Sequence, residues 1–202
     1  MRFRLAMLPL MFAVAPVHLF AQMPGAADPK RITAGTYSID PNHTQVTWKV
    51  NHLGFSMLQG QFGAWGGTLR LSPADLAAAK VDVTFDMTQL RTSFAAFTKH
   101  LNSSDFFDTG KFGTATFVSS SVRPGPNNTA TIVGNLTIKD VTRPVTLQVK
   151  LVGAGDNPMG DTFDVGFLAT GTIKRSEFGL GMAVPAVSDE VTLEINAAFT
   201  KD

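Results

Sequence analysis

Strict alternation of apolar and polar residues is the feature that most limits what this chain can fold into. Residues 81–87 read Val-Asp-Val-Thr-Phe-Asp-Met, and residues 145–151 read Val-Thr-Leu-Gln-Val-Lys-Leu. A period of two places every apolar side chain on one face of a β-strand. The sequence therefore predicts an all-β fold. The eight runs with this pattern cover residues 45–51, 59–71, 81–87, 114–117, 130–138, 145–151, 163–173 and 191–199.

The segment between predicted strands 3 and 4 departs from this period. Phe94, Phe97 and Leu101 follow one another at the i, i+3 and i+7 positions of a helix. The spacing predicts a short helical insert of about three turns, with Thr92 or Ser93 as its N-cap. Eight antiparallel strands with one apolar face each can close into a barrel that leaves no exposed edge. We therefore predict an eight-stranded antiparallel barrel with this insert.

The apolar face of such a barrel is expected to point inward. An outer-membrane barrel needs girdles of tyrosine and tryptophan at both membrane interfaces, but the chain has one tyrosine and two tryptophans. The chain also ends in the charged pair Lys201 and Asp202. A water-soluble barrel of eight strands can be filled by side chains or can hold one small ligand. Small inward residues fit either an open interior or tight packing; they are Ala64, Ala115, Gly134, Ala169, Gly171 and Ala197.

The first residues have the pattern of a secretory signal peptide. Arg2 and Arg4 precede an apolar run that is too short and too interrupted for a convincing membrane-spanning helix. Cleavage is expected after Ala27, with Ala21 as the alternative, which gives a signal peptide over residues 1–27 and one lipid-binding barrel domain over residues 28–202.

Loss of the signal peptide changes the charge balance of the chain. Lys+Arg falls from 17 to 15 while Asp+Glu stays at 16, so the formal net charge moves from +1 to −1. No basic cluster remains, and nucleic-acid binding has no electrostatic support. The chain has no cysteine, which excludes disulfides and thiolate metal sites.

Enzyme motifs are scarce, and we expect no enzyme, no catalytic residue, no metal and no cofactor. Residues 54–58 begin like a nucleophile elbow but lack its final glycine. The histidines are not spaced as a helical zinc pair. His43 and His52 can still meet across a turn together with Asp105, which keeps an enzyme as an alternative. Arg91 and Arg175 lie near strand ends, where a charge can hold a ligand's polar head or can form a surface ion pair.

Several motifs, in this order, resemble the YceI-like family of bacterial periplasmic polyisoprenoid-binding proteins. The most specific is His-Leu-Asn-Ser-Ser-Asp-Phe-Phe-Asp at residues 100–108. The others are Tyr-Ser-Ile-Asp-Pro-Asn-His-Thr at 37–44, Asn-His-Leu-Gly at 51–54, Gln-Gly-Gln-Phe at 59–62, Gly-Asn-Leu-Thr-Ile at 134–138, Lys-Arg-Ser-Glu-Phe-Gly at 174–179 and Glu-Val at 190–191. The chain departs from the family at residues 111–113 (Lys-Phe-Gly) and at Asp140, where the family has an aromatic residue with a proline, and a glycine, respectively.

The resemblance implies a lipocalin-like barrel that binds a polyprenyl lipid or an isoprenoid quinone along its axis, in the periplasm. We expect binding, storage or transport of this lipid, transient membrane contact and a homodimer; the alternatives are an enzyme or accessory factor acting on the lipid, or a stress-response protein with a filled core. The head-group candidates are His43, His52, Arg91, Asp105 and Arg175. The predicted ligand-binding residues are Trp48, Val50, Phe62, Phe85, Phe94, Phe97, Leu101, Phe106, Phe117, Leu147, Phe167, Phe178 and Leu193.

Overall fold

The computed structural model describes residues 23–202 of the chain. The basic and apolar residues that predict the signal peptide lie outside this range, so that prediction stays open. The strands are β1 (Gly35–Ile39), β2 (Gln45–His52), β3 (Ser56–Leu71), β4 (Lys80–Thr92), β5 (Thr114–Pro124), β6 (Thr129–Ile138), β7 (Val141–Asn157), β8 (Thr162–Lys174) and β9 (Glu190–Lys201). The helix α1 covers Ala95–Asn102, and short 3-10 helices cover Pro29–Arg31, Leu76–Ala78 and Arg175–Phe178.

The strands form one closed antiparallel barrel of eight positions. Each strand from β2 to β9 pairs with its neighbour, and the pairing of β3 with β4 closes the ring. β1 and β2 share one position because both pair with β3 and β9. β1 lies opposite residues 68–71 of β3 and β2 lies opposite residues 56–63. The predicted eight-stranded barrel is therefore confirmed, with its first strand interrupted at residues 40–44.

Strand β1 was not predicted from the sequence, and the reason is local. Its five residues show an interior side chain only at Tyr37 and Ile39. The Asp-Pro-Asn turn that follows marks the end of a run rather than a break within one. Only the pairing of β1 with β3 and β9, which are distant in sequence, identifies it as part of the barrel.

The alternation of the sequence sets which face of each strand is interior. In β7, Val145, Leu147 and Leu151 are buried while Thr146 and Gln148 are exposed. The same pattern recurs in β4 and β5, and the buried side chains form one continuous apolar core inside the barrel. The apolar face therefore points inward, as predicted.

The helical insert lies between β4 and β5, which are predicted strands 3 and 4, but it is shorter than predicted. It has eight residues, about two turns. It begins after Phe94, whose backbone is extended, and no side chain caps it. The prediction of Thr92 or Ser93 as N-cap is wrong, because Thr92 is the last residue of β4 and its hydroxyl lies 2.9 Å from that of Thr98. None of the helices found in residues 23–202 has the length and apolar character needed to cross a membrane.

The strand directions give the barrel two distinct ends. The α1 end carries the β2–β3 turn, α1, the β6–β7 turn and the segment 175–189 before β9. The opposite end carries the loop 72–79, the β5–β6 turn and the β7–β8 turn. The N-terminal segment lies at this second end, where Ala26 exchanges backbone hydrogen bonds with Ala154 of β7.

Candidate ligand cavity

A cavity of about 1330 Å³ occupies the interior of the barrel. Its wall includes Phe94 and Met182 at the α1 end and Leu76 and Asn127 at the opposite end, so it extends along the barrel axis. Ligand pockets commonly have volumes of about 300–1,000 Å³. This cavity is larger, and its length suits an elongated molecule.

Large side chains of the wall lie directly over glycines of neighbouring strands, which keeps the axis open. A Cβ atom on Gly60 would collide with the indole of Trp48, and one on Gly134 would collide with the ring of Phe117. Because these glycines have no side chain, the rings can approach the neighbouring backbone closely. Small inward residues were consistent with an open interior or with tight packing. Both apply here, because close packing of the rings against the wall leaves space at the centre.

Aromatic side chains form much of the wall. Phe62 and Phe85 meet edge to face with their ring centroids 5.7 Å apart, and Phe97 of α1 meets Trp48 in the same way at 6.5 Å. Edge-to-face pairs stabilise such clusters beyond their buried area. Within residues 23–202, Trp48 Nε1 is the one buried side-chain nitrogen or oxygen without a hydrogen-bond partner.

The structure brings most of the predicted ligand-binding residues to this wall, and their contact with a ligand stays a prediction. Phe178 is the exception. It is almost fully buried, but it lies where the 3-10 helix Arg175–Phe178 contacts β7, in a groove with Arg143 and Pro144 outside the cavity. The predicted residues on the wall are Trp48, Val50, Phe62, Phe85, Phe94, Phe97, Leu101, Phe106, Phe117, Leu147, Phe167 and Leu193.

Only two of the five predicted head-group residues lie on the cavity wall. His52 and Arg175 line the cavity at the α1 end. Arg91 is exposed on β4 opposite Gln61 and is not part of the wall. Asp105 is also off the wall, but its carboxylate lies 3.3 Å from Nε2 of His100.

His100 is a wall residue that was not predicted from the sequence, although it belongs to the motif at residues 100–108. The sequence does not show that α1 folds over the barrel end, and this fold is what places His100 at the cavity. Asn127 and Asn128 of the β5–β6 turn are further wall residues without a prediction, because a polar turn carries no signal for an interior position.

His43 is not a wall residue and lies in the exposed turn between β1 and β2. Its Nδ1 lies 2.5 Å from Oδ2 of Asp40, and this hydrogen bond raises the pKa of the imidazole. Burial alone raises the pKa of Asp40, but hydrogen bonds from His43 and from the Asn42 backbone lower it overall. The pair therefore stabilises the turn that interrupts the first strand, and His43 does not meet His52 as one alternative required.

Arg175 is a buried cation, and each of its guanidinium nitrogens donates to a backbone carbonyl. Its Nε donates to the carbonyl of Ser188 at 2.8 Å, and its Nη2 donates to that of Val187 at 2.8 Å. Its Nη1 donates to the carbonyls of Leu180 and Met182. Burial lowers the pKa of the guanidinium, and the charge of Asp189 partly opposes this. Arg175 therefore fixes the segment 175–189 across the α1 end.

Polar side chains of the wall are confined to the two ends of the cavity. At the α1 end they are His52, Gln59, Thr92, Ser93, His100 and Arg175. At the opposite end they are Asn127, Asn128 and Thr129. Between them, the described part of the wall is apolar, so the cavity has the polarity that suits a molecule with an apolar middle and a polar end. No group of three or more His, Asp or Glu residues suited to a metal ion occurs in residues 23–202.

A closed eight-stranded antiparallel barrel with an apolar cavity inside it belongs to the class of small barrels that have room for one ligand. Residues 37–199 match the family model described as YceI-like domain, and the chain belongs to that family. Protein YceI of Escherichia coli O157:H7 is 41% identical over 165 residues, which cover 81% of this chain and 85% of that protein.

Solved structures with the same fold are more distant in sequence. BcnA of Burkholderia cenocepacia superposes with a TM-score of 0.68 at 24% identity, covering 79% of this chain and 98% of BcnA. A polyisoprenoid binding domain from Saccharophagus degradans superposes with a TM-score of 0.57 at 12% identity, covering 82% of this chain and 98% of that domain. These two likenesses establish the fold that the chain shares with them.

Proposed function

We propose that this protein binds one long isoprenoid lipid, a polyprenyl chain or an isoprenoid quinone, and stores or carries it in the periplasm. The observation that carries the proposal is the cavity of about 1330 Å³, which is apolar in the middle and polar at both ends. The polyisoprenoid binding domain of the same fold supports this ligand class. The signal-peptide pattern of the first residues supports export.

The thermodynamics of such a carrier concern exchange with a membrane rather than with water. Removing one methylene from water contributes about 0.8 kcal/mol. A bilayer offers nearly the same gain, so transfer of the tail into the barrel is close to neutral. Selection between lipids then depends on the shape of the cavity and on the polar groups at its ends, such as His52 and His100.

We propose binding without catalysis. His43 lies in an exposed turn between β1 and β2, away from the α1 end that carries His52, while each guanidinium nitrogen of Arg175 donates to a backbone carbonyl. His43 therefore does not join His52 and Asp105 in the acid–base group that the enzyme alternative requires. The lipid is a ligand here, and no cofactor is needed for this function.

Blocking the middle of the cavity tests the proposal. Ala169 is a wall residue of β8, and Ala169→Trp places a large ring into the tube. The neighbouring Thr170 is exposed, so Thr170→Trp is the matched control on the same strand. Native mass spectrometry of protein exported to the periplasm is expected to show a bound lipid in the wild type and in Thr170→Trp, and little in Ala169→Trp. Circular dichroism checks that both variants fold, and a wild-type protein without extractable lipid contradicts the proposal.

A further inference from the structure

The α1 end of the barrel carries a group of exposed apolar side chains, which we call the apolar rim. Phe55, in the β2–β3 turn, is 90% exposed. Isolated exposed apolar residues are common, but a cluster of them marks an interaction site. The apolar rim consists of Leu53, Phe55, Met57, Phe94, Met182 and Val184.

Backbone contacts hold the segments of the apolar rim together. The amide of Leu53 donates to the carbonyl of Ala186 at 2.9 Å, and His52 forms a β-bridge with Val187. The start of α1 lies beside β3, because the last residue of β4 pairs with Gly60, and Phe94 lines the same cavity as Met57 and Met182. Three loops that are far apart in sequence therefore present one surface on one side of the barrel end.

The three loops also share an absence of charge. Residues 53–58, 92–98 and 178–188 contain no Asp, Glu, Lys or Arg, in a chain in which 16% of residues are charged. The charged residues of this end lie outside them, for example Lys99 on the next turn of α1 and Lys139 in the β6–β7 turn. This distribution divides the end into an uncharged half and a charged half.

The apolar rim is continuous with the cavity. Met57, Phe94 and Met182 are exposed to solvent and also line the cavity wall. A hydrocarbon chain can therefore pass from outside to inside along apolar side chains without crossing water. No such continuity exists for Met159 at the opposite end, which is 95% exposed but does not line the cavity.

We propose that the apolar rim inserts into the surface of a lipid bilayer and is where the barrel takes up its ligand directly from the membrane. This proposal rests on the proposed function, because it supplies the route of loading. Hydrocarbon accepts apolar side chains and strongly disfavours Asp, Lys and Arg, which matches three loops without charge. Protein–protein interfaces, by contrast, surround their apolar centre with a polar rim. Lys99, one helical turn further on, is placed to reach the lipid head groups.

Vesicle binding tests this surface. Phe55 is exposed and does not line the cavity, so Phe55→Ser removes apolar contact without changing the ligand site. We expect about ten-fold weaker co-sedimentation with neutral phosphatidylcholine vesicles at high salt, where charge attraction is screened. Met159→Ser removes an equally exposed apolar side chain from the opposite end and is expected to bind as the wild type does.

The outcomes separate this proposal from the proposed function. Phe55→Ser is expected to keep its lipid when loaded from detergent but to load slowly from vesicles. If it binds vesicles like the wild type, or if Met159→Ser loses as much binding, the proposal is wrong. It is also wrong if Phe55→Ser converts a dimer into a monomer while neither form binds vesicles, since the rim is then an interface between copies. Rim-dependent vesicle binding by a wild type that never holds a lipid supports docking and contradicts the carrier function.

Discussion

Arg175 is a residue whose structural role the sequence did not reveal. The sequence left two roles open for this cation near a strand end, which are to hold a lipid head and to form a surface ion pair. Its side chain is 7% exposed, and within residues 23–202 no carboxylate lies within ion-pair distance of it. Four backbone carbonyls of the segment 180–188 accept its hydrogen bonds instead. The side chain thereby organises a segment that contributes Leu180 and Met182 to the cavity wall.

Replacing Arg175 by alanine is predicted to destabilise the barrel by about 3 kcal/mol, because several partly buried carbonyls lose a charged donor. Urea denaturation measures the free energy of unfolding. Hydrogen exchange is expected to become faster in residues 180–187 than in the strands. The adjacent exposed residue provides the control variant, Lys174→Ala, for which we expect a change below about 0.5 kcal/mol. Equal stability of the two variants contradicts this role for Arg175.

At the level of elements, β3 combines three strand partners with a position that admits no side chain. It pairs with β1, β2 and β4, and its pairing with β4 shifts register twice. Gly60 lies on this strand beneath Trp48, and a Cβ there would lie 2.6 Å from the carbonyl oxygen of Arg91 as well. A side chain at this position would therefore collide with the indole of Trp48 on one side and with the backbone of β4 on the other.

Gly60→Ala is predicted to lower the free energy of unfolding by about 1–3 kcal/mol, because the indole or strand β4 must move. Gly66 lies on the same strand, and a Cβ there would have no neighbouring atom within 4 Å, so Gly66→Ala is the matched control. Because the substitution displaces the indole of Trp48, we also expect the fluorescence change on lipid loading to differ between Gly60→Ala and the wild type. A Gly60→Ala protein as stable as Gly66→Ala shows that this contact is not a constraint.

At the scale of the whole molecule, closure of the sheet means that the barrel does not need a bound ligand in order to fold. Every strand has a hydrogen-bonded neighbour on both sides, so the barrel has no open edge that a ligand must cover. The apolar cavity nevertheless leaves wall side chains without contacts on one side. A bound lipid fills this space and stabilises the folded state in proportion to its affinity.

Extraction of the lipid is predicted to lower the Tm by about 5–10 °C while the far-UV circular dichroism at 25 °C stays unchanged. Reloading with the extracted lipid should restore the original Tm. Loss of the β-sheet signal on extraction would show that the ligand is part of the folded core, and an unchanged Tm would show that the cavity does not hold it.

The sequence by itself determined eight of the nine strands, the inward direction of their apolar faces and the place of the helical insert. The strands and the insert follow from local periods of two and of about 3.6 residues. The inward direction follows from the scarcity of tyrosine and tryptophan, which an outer-membrane barrel needs at its interfaces. The resemblance carried by residues 37–44 and 100–108 likewise led to the family whose model residues 37–199 match.

Only the tertiary structure decided which polar groups reach the cavity and which surface surrounds its mouth. His100 and Arg175 line the wall while His43 and Asp105 do not, although all four stand in similar motifs. The sequence also did not reveal that β1 belongs to the barrel or that the indole of Trp48 packs on Gly60. Each depends on the register between strands and on how loops fold over an end, and these are contacts between residues distant in sequence that no local period encodes.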